Sequence, residues 1–221
     1  MPQTVGIFGG TFDPVHYGHL RLAEEARECW PLDRLVFIPA QLNPLKQGGA
    51  EATPGEHRLE MLRLALADRS DCDILDLELR RPGPSFMVDT IRELRVRYPD
   101  AEFVLVLGMD AFRLFPRWKA WPEIVEMAHL LVGTRPGEEA VDPQSVLSIE
   151  SPGSIWYDET LGAYRFKTGN LLRFYANTPL DIAATDIRRR IAEGLSIRYL
   201  TPSAVVEYIQ KNGFYRSNVG R

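Results

Sequence analysis

Cysteine is scarce in this chain: Cys29 and Cys72 are the two among 221 residues. Their spacing matches no metal or redox motif, so both are expected as reduced thiols of a cytoplasmic protein. No apolar run approaches the roughly 18 residues of a membrane-spanning helix, so no membrane association is expected. Positive charge is not in excess either: Lys and Arg number 26 against 30 Asp and Glu, a net charge of −4. A general field for nucleic acid is therefore missing, and any anion site must be local. No signal peptide is expected, because no basic stretch followed by an apolar one opens the sequence. Two familiar phosphate signatures are also absent. There is no G-x-G-x-x-G, and no lysine with Ser or Thr at Walker A spacing after a glycine.

What is present is informative. An apolar run at residues 5–8 leads into Gly9-Gly10-Thr11-Phe12-Asp13-Pro14-Val15-His16-Tyr17-Gly18-His19, and then into an amphipathic run at 20–30. That order predicts strand, glycine loop and helix. Unpaired N–H groups at a helix start carry partial positive charge, and two imidazoles three apart sit on the same side of it. Gly9 and Gly10 let a ligand approach the backbone, and Gly18 leaves room between the histidines. The combination suits a phosphate group.

The rest of the chain alternates strand-like and helical patterns. Strands are expected at 5–8, 35–38, 72–77, 103–107, 130–132 and 172–175. Helices are expected after Thr53 and Ser85 as caps, from Pro122, after Thr185 as a cap, and from Thr201-Pro202. Their inner faces carry Leu59, Leu62 and Leu66, then Val88, Ile91 and Leu94, then Ile187, Ile191 and Leu195. Such alternation predicts an α/β fold, Rossmann-like and doubly wound, with a mostly parallel sheet, helices on both faces and a small C-terminal helical part. Residues 1–215 are expected to form one domain. Within it, 136–171 read as a variable excursion with a hairpin, 180–215 as the helical part, and 216–221 as a frayed tail. Ligands of such sheets sit at the carboxyl ends of strands, where the glycine loop falls.

Several residues keep two readings on composition alone. Asp13, His16 and His19 could be a two-histidine, one-carboxylate site for non-haem iron. Lys46 could be a plain exposed lysine, and Trp118 and Trp121 core aromatics. Arg188 is expected in the first turn of its helix, where a cation is disfavoured unless an anion is there to meet it. Arg189 and Arg190 fit a solvated face.

The glycine-histidine segment resembles the H-x-G-H signature of the nucleotidyltransferase superfamily related to class I aminoacyl-tRNA synthetases. Within it, the chain is similar to the bacterial nicotinate-nucleotide adenylyltransferases. Gly108-Met109-Asp110 resembles that family's G-x-D, and Pro84-Ser85-Phe86 its P-S-Y. Phe115-Pro116-Arg117-Trp118 falls at its aromatic, Gly133-Thr134-Arg135-Pro136-Gly137 at its Arg-Pro-Gly, and Ile182-Ala183-Ala184-Thr185-Asp186-Ile187-Arg188 at its I-S-S-T-x-I-R. Leu45, Met87, Ala183 and Ala184 depart from the pattern.

The resemblance implies transfer of AMP from ATP to nicotinate mononucleotide, giving nicotinate adenine dinucleotide and pyrophosphate, with Mg²⁺ carried by ATP. It makes His16, His19, Lys46 and Arg188 the catalytic set. Gly9, Gly10, Thr11, Phe12, Gly18, Gly108, Asp110, Thr185 and Ile187 would bind ATP. Ser85, Phe86, Trp118 and Arg135 would bind the mononucleotide. A homo-oligomer stays open. So do nicotinamide mononucleotide or phosphopantetheine as the acceptor, and a nucleotide sensor without turnover.

Overall fold

The structure is a computed structural model describing residues 2–46, 52–134, 141–147 and 153–217, with the side chain of Lys46 outside that description. Its strands are β1 (Thr4–Gly10), β2 (Arg34–Pro39), β3 (Cys72–Ile74), β4 (Glu102–Gly108), β5 (His129–Thr134), β6 (Ile155–Asp158), β7 (Ala163–Phe166) and β8 (Leu171–Ala176). Its helices are α1 (Tyr17–Cys29), α2 (Gly55–Ala65), α3 (Leu77–Arg80), α4 (Met87–Arg97), α5 (Met109–Arg113), α6 (Trp121–Met127), α7 (Pro143–Val146), α8 (Ala184–Ala192) and α9 (Ser203–Asn212).

The strands form one sheet in the order β3-β2-β1-β4-β5-β8-β7-β6. Every pairing from β3 to β8 is parallel, and β7 joins β8 and β6 antiparallel. The expected α/β architecture is present, and the excursion does contain a hairpin, β6–β7. The chain order reverses between β1 and β4. Their carboxyl ends, Gly10 and Gly108, therefore flank the crevice where such sheets bind ligands.

Side-chain alternation along the strands makes two cores. Val5, Ile7, Leu105 and Leu107 face one side, against Val88, Ile91 and Leu94 of α4 and Ile124 of α6. Phe8, Val104, Val106 and Leu131 face the other, against Ala23 and Ala26 of α1, Leu62 of α2, Ile187 of α8 and Val205 of α9. The period of two in the strands and of three to four in the helices is what assigns each residue to its layer.

Local details depart from expectation, mostly at helix starts. Pro54, Phe86, Ala183 and Pro202 occupy the cap positions of α2, α4, α8 and α9, and none caps with a side chain. The hydroxyls of Ser85, an expected cap, and of Thr201, at the expected start of the last helix, bond elsewhere. The Ser85 hydroxyl accepts the Gln41 N–H at 2.9 Å, and the Thr201 hydroxyl donates to the Val15 carbonyl at 2.8 Å. The strand expected over 72–77 stops at Ile74, and α3 begins at Leu77. Leu195 lies beyond the end of α8 and is exposed, not part of its inner face. Residues 216 and 217 are tied down, Ser217 Oγ donating to the Ala192 carbonyl at 2.6 Å, and the remainder of the expected frayed tail lies outside the described residues.

The largest polar group inside is Arg58 of α2, 1% exposed. Its Nε donates to the Thr53 carbonyl and its Nη1 to the Thr11 carbonyl, each at 2.7 Å. Burial pushes its pKa down, opposed by the nearby Asp13. The guanidinium thereby joins the start of α2 to the loop after β1. Arg58→Met keeps much of the bulk but strips two buried carbonyls of their donor. It is expected to cost about 2–4 kcal/mol of unfolding free energy, read from urea denaturation.

Candidate functional site

A cleft of about 600 Å³ opens at the carboxyl ends of β1 and β4. Its floor is the glycine loop, and the starts of α1 and α8 adjoin there, Ile182 lying against Gly18. A third side comes from residues 85–87 and 117–119.

His16 caps α1 and His19 is its third residue. The His19 Nδ1 accepts the His16 N–H at 3.3 Å, which leaves Nε2 of His19 as the ring's donor. The two rings stack with centroids 3.7 Å apart and planes at 24°. The space expected between the imidazoles is thus closed by the rings themselves. Gly18 matters in another way: a Cβ there would lie 3.0 Å from His16 Nδ1 and 3.3 Å from the Ile182 carbonyl oxygen. The absence of a side chain keeps the backbone N–H of Gly18 open to the cleft. The helix start offers fewer donors than expected. Tyr17 donates to the Leu200 carbonyl at 3.0 Å, and His19 and Leu20 both donate to the His16 carbonyl. Gly18 N–H has no partner among the described residues.

Two other polar atoms are stranded here. Thr11 Oγ1 and His16 Nδ1 are both buried without a hydrogen-bond partner, and both residues line the cleft. Burial drives the His16 pKa down from 6.5 to about 4, so its ring is neutral at pH 7.

The α8 side is built differently. Ala183 caps α8 with no side-chain acceptor, and Ala183, Ala184 and Thr185 all line the cleft. Loss of the family's serines therefore leaves that helix start uncapped and facing the opening. Arg188 is the fifth residue of α8, just past the first turn where it was expected. It lines the cleft while its Nη1 donates to the Asp13 carbonyl at 2.6 Å.

At the third side, Trp118 stands between cleft and core, its ring 5.3 Å from that of Phe115. Trp121 packs on Phe115 as well, on the core side. Ser85 and Phe86 line the cleft. Met87 reaches across Gly9, where a Cβ would meet its Cε at 2.6 Å. Gly10, Gly108 and Asp110 also line the opening.

Two expected contacts do not reach the cleft by their side chains. The Phe12 ring is 1% exposed, packed against Phe8 and His19, which leaves only its backbone to the loop. Ile187 is fully buried in the core and its N–H already donates to the Ala183 carbonyl at 3.1 Å. Lys46 ends the short 3₁₀ turn Pro44–Lys46, whose first two residues line the cleft. Arg135 lies outside the described residues.

Asp13 is not arranged as a metal ligand beside the histidines. Its Oδ1 accepts the Tyr215 hydroxyl at 2.5 Å and its Oδ2 the Thr53 N–H at 3.3 Å. Among the described residues, no three His, Cys, Asp or Glu side chains gather as a metal site.

The cleft also contains residues that sequence reasoning passed over. Glu78 is 3% exposed, its pKa raised by burial, and it accepts the Thr90 hydroxyl at 2.6 Å. Lys119 sits 4.5 Å from the centre of the Phe86 ring and 3.0 Å from Asp89. Lys119 neighbours Trp118 in sequence and could have been flagged by that alone. Glu78 carries no local signal, since a Leu-Glu-Leu-Arg stretch reads as an ordinary amphipathic turn.

The chain matches the cytidylyltransferase-like family over residues 7–190. It is 44% identical to a probable nicotinate-nucleotide adenylyltransferase of Syntrophotalea carbinolica, covering 96% of this chain and 97% of that one. It is 41% identical to the probable nicotinate-nucleotide adenylyltransferase of Halorhodospira halophila, covering 96% and 95%. Among solved structures it resembles the Plasmodium falciparum nicotinic acid mononucleotide adenylyltransferase complexed with NaAD. The TM-score is 0.73 at 17% identity, over 96% of this chain and 97% of that one, a likeness of fold.

The low His16 pKa has a measurable consequence. Above pH 6.5 the ring is neutral folded or unfolded; below it, only the unfolded chain takes up the proton until about pH 4. Stability is therefore expected to fall between those values, by on the order of 3 kcal/mol from this residue, and to gain nothing further from it below. Chemical denaturation across pH, compared with His16→Gln, checks this; the variant should lose that part of the slope.

Proposed function

The chain belongs to the cytidylyltransferase-like family and, within it, to the nicotinate-nucleotide adenylyltransferases, and we propose that its cleft transfers the adenylyl group of ATP to nicotinate mononucleotide through the residues gathered there. The reaction belongs to NAD biosynthesis. The 5′-phosphate of the mononucleotide attacks the α-phosphorus of ATP, a P–O bond forms, and the bond to pyrophosphate breaks in line. The attacking group is already an anion, so no general base is required, and catalysis is positioning plus stabilisation of charge.

The supporting observation is the pair of stranded polar atoms, Thr11 Oγ1 and His16 Nδ1, in a cleft onto which two helix starts open. Gly18 N–H and the rings of His16 and His19 hold the oxygens around the α-phosphate as charge grows there. A neutral His16 contributes a dipole and one N–H, and an arriving phosphate favours its protonation. The uncapped start of α8, through Thr185, and Arg188 take the β- and γ-phosphates. Lys46 follows two cleft-lining residues and joins Arg188 on the departing pyrophosphate. The side-chain positions of Gly9 and Gly10 are taken by Met87 Cε and the Phe12 ring, so these glycines shape the loop under the nucleotide, and Gly108 and Asp110 line its other edge. Ile187, being core, serves by seating α8.

Of the two N–H groups expected to receive the nicotinate carboxylate, that of Ser85 already donates to the Leu42 carbonyl at 2.8 Å, which leaves Phe86 for that role, and Trp118 offers a flat electron-rich face to the pyridinium ring. The motif resemblance also assigns Arg135 to the mononucleotide. A divalent ion, Mg²⁺, would enter bound to ATP and offset triphosphate charge, held by phosphate oxygens and water. Residues 1–215 act as one nucleotidyltransferase domain, because α8 and α9 pack on the same sheet that carries the glycine loop. Two unpaired thiols suit the reducing cytoplasm.

Purified protein with Mg²⁺, ATP and nicotinate mononucleotide is expected to release pyrophosphate and form the dinucleotide, more slowly with the amide mononucleotide. No product with either would sink the assignment. His19→Ala is expected to lower single-turnover rates by about a hundredfold or more, with a smaller change in ATP affinity. Trp118→Ala is expected to raise the KM for mononucleotide while leaving that for ATP near wild type. Equal effects on both substrates would make Trp118 a packing residue only.

A further inference from the structure

The loop between β1 and α1 carries Thr11, His16 and Gly18, yet the bonds that shape it come from remote parts of the chain. Asp13 is the meeting point. Its carboxylate accepts the Tyr215 hydroxyl at 2.5 Å and the Thr53 N–H at 3.3 Å, and its carbonyl accepts Arg188 Nη1 at 2.6 Å. Arg58 adds its two bonds, to the carbonyls of Thr11 and Thr53. Asp13, Arg58 and Tyr215 all lie outside the cleft lining.

The backbone on both sides of the Tyr215–Asp13 bond is unusual. Phe12 holds φ at 50° and Tyr215 at 63°, two of four non-glycine residues in the left-handed region among those described. Such conformations cost energy and persist where surrounding contacts enforce them. The phenol is kept protonated: burial and the adjacent Asp13 both push its pKa up, so it remains a donor. Arg188 is divided in its duties, one nitrogen on the loop and the rest of the guanidinium available to the cleft.

We propose that Tyr215, acting through Asp13, is a positioning residue for adenylyl transfer: it fixes the loop that presents Thr11 and His16 and, with it, the carbonyl that aims Arg188. This rests on the function proposed above. A chain of two contacts, Tyr215 to Asp13 to Arg188, then links a residue beyond α9 to the phosphates. Small displacements of reacting groups cost rate far more than they cost binding, so the effect belongs in kcat.

Tyr215→Phe removes one oxygen and retains the ring. Its kcat is expected to fall at least about tenfold, with the KM of both substrates within about twofold of wild type. Asp13→Asn is expected to do the same, and the double variant to lose little more than either alone, because the two residues act as a unit. An unchanged kcat with only a lowered unfolding midpoint would overturn the proposal, and so would fully additive losses.

A second readout needs no turnover. In NMR spectra of the free protein, the ring signals of His16 and His19 are expected to move in Tyr215→Phe. Those of His129, at the opposite end of β5 and bonded to Glu102, should stay in place. Unmoved His16 and His19 signals would also overturn the proposal. A wild-type protein without adenylyl transfer would defeat the function instead, with the imidazole signals still testing the clamp.

Discussion

A buried guanidinium bridging two loop carbonyls is the interaction on which this site depends. A loop that presents bare glycine backbone to a ligand cannot fold back on itself to satisfy its own polar groups. Those groups must be met from outside, and Arg58 meets the carbonyls of Thr11 and Thr53 with one rigid fork. A lysine has a single point of charge and could not span the two with the same geometry. With the underside of the loop held in this way, its upper surface is left with stranded donors and acceptors facing the cleft.

The same logic separates the roles of the two walls. On the α1 side, most first-turn N–H groups are already bonded, and what remains is concentrated at Gly18 and His16 Nδ1. On the α8 side, the alanines at the helix start leave it uncapped. In the proposed reaction the first side would meet the phosphorus at which bonds change, and the second the trailing phosphates. Stacking holds the histidine rings in register, and burial keeps His16 uncharged at neutral pH.

Much of this was legible in the sequence. The strand, glycine loop and helix at residues 5–30, and the strands around Leu105 and Leu131, follow from side-chain periodicity that the tertiary fold only reinforces. The motifs placed His16, His19, Gly18, Trp118 and Arg188 around one opening. Helix starts were less legible. A hydroxyl ahead of a helical run reads as a cap, yet Ser85 and Thr201 bond to backbone of another segment, which offers a partner no local pattern reveals. Glu78 is buried through packing of α3 against the sheet edge, and Tyr215 meets Asp13 across 202 positions of sequence. Neither contact has a local signature, because each depends on how layers close over one another.

That long-range bond also orders events in time. On the ribosome, the strand, loop and first helix emerge early and can take up their backbone conformation as the parallel sheet accumulates. The carboxylate of Asp13 must wait for a phenol made 202 residues later. Nascent chains can thus assemble the scaffold before this bond forms, and the final shape of the loop is set well after its own motif has emerged.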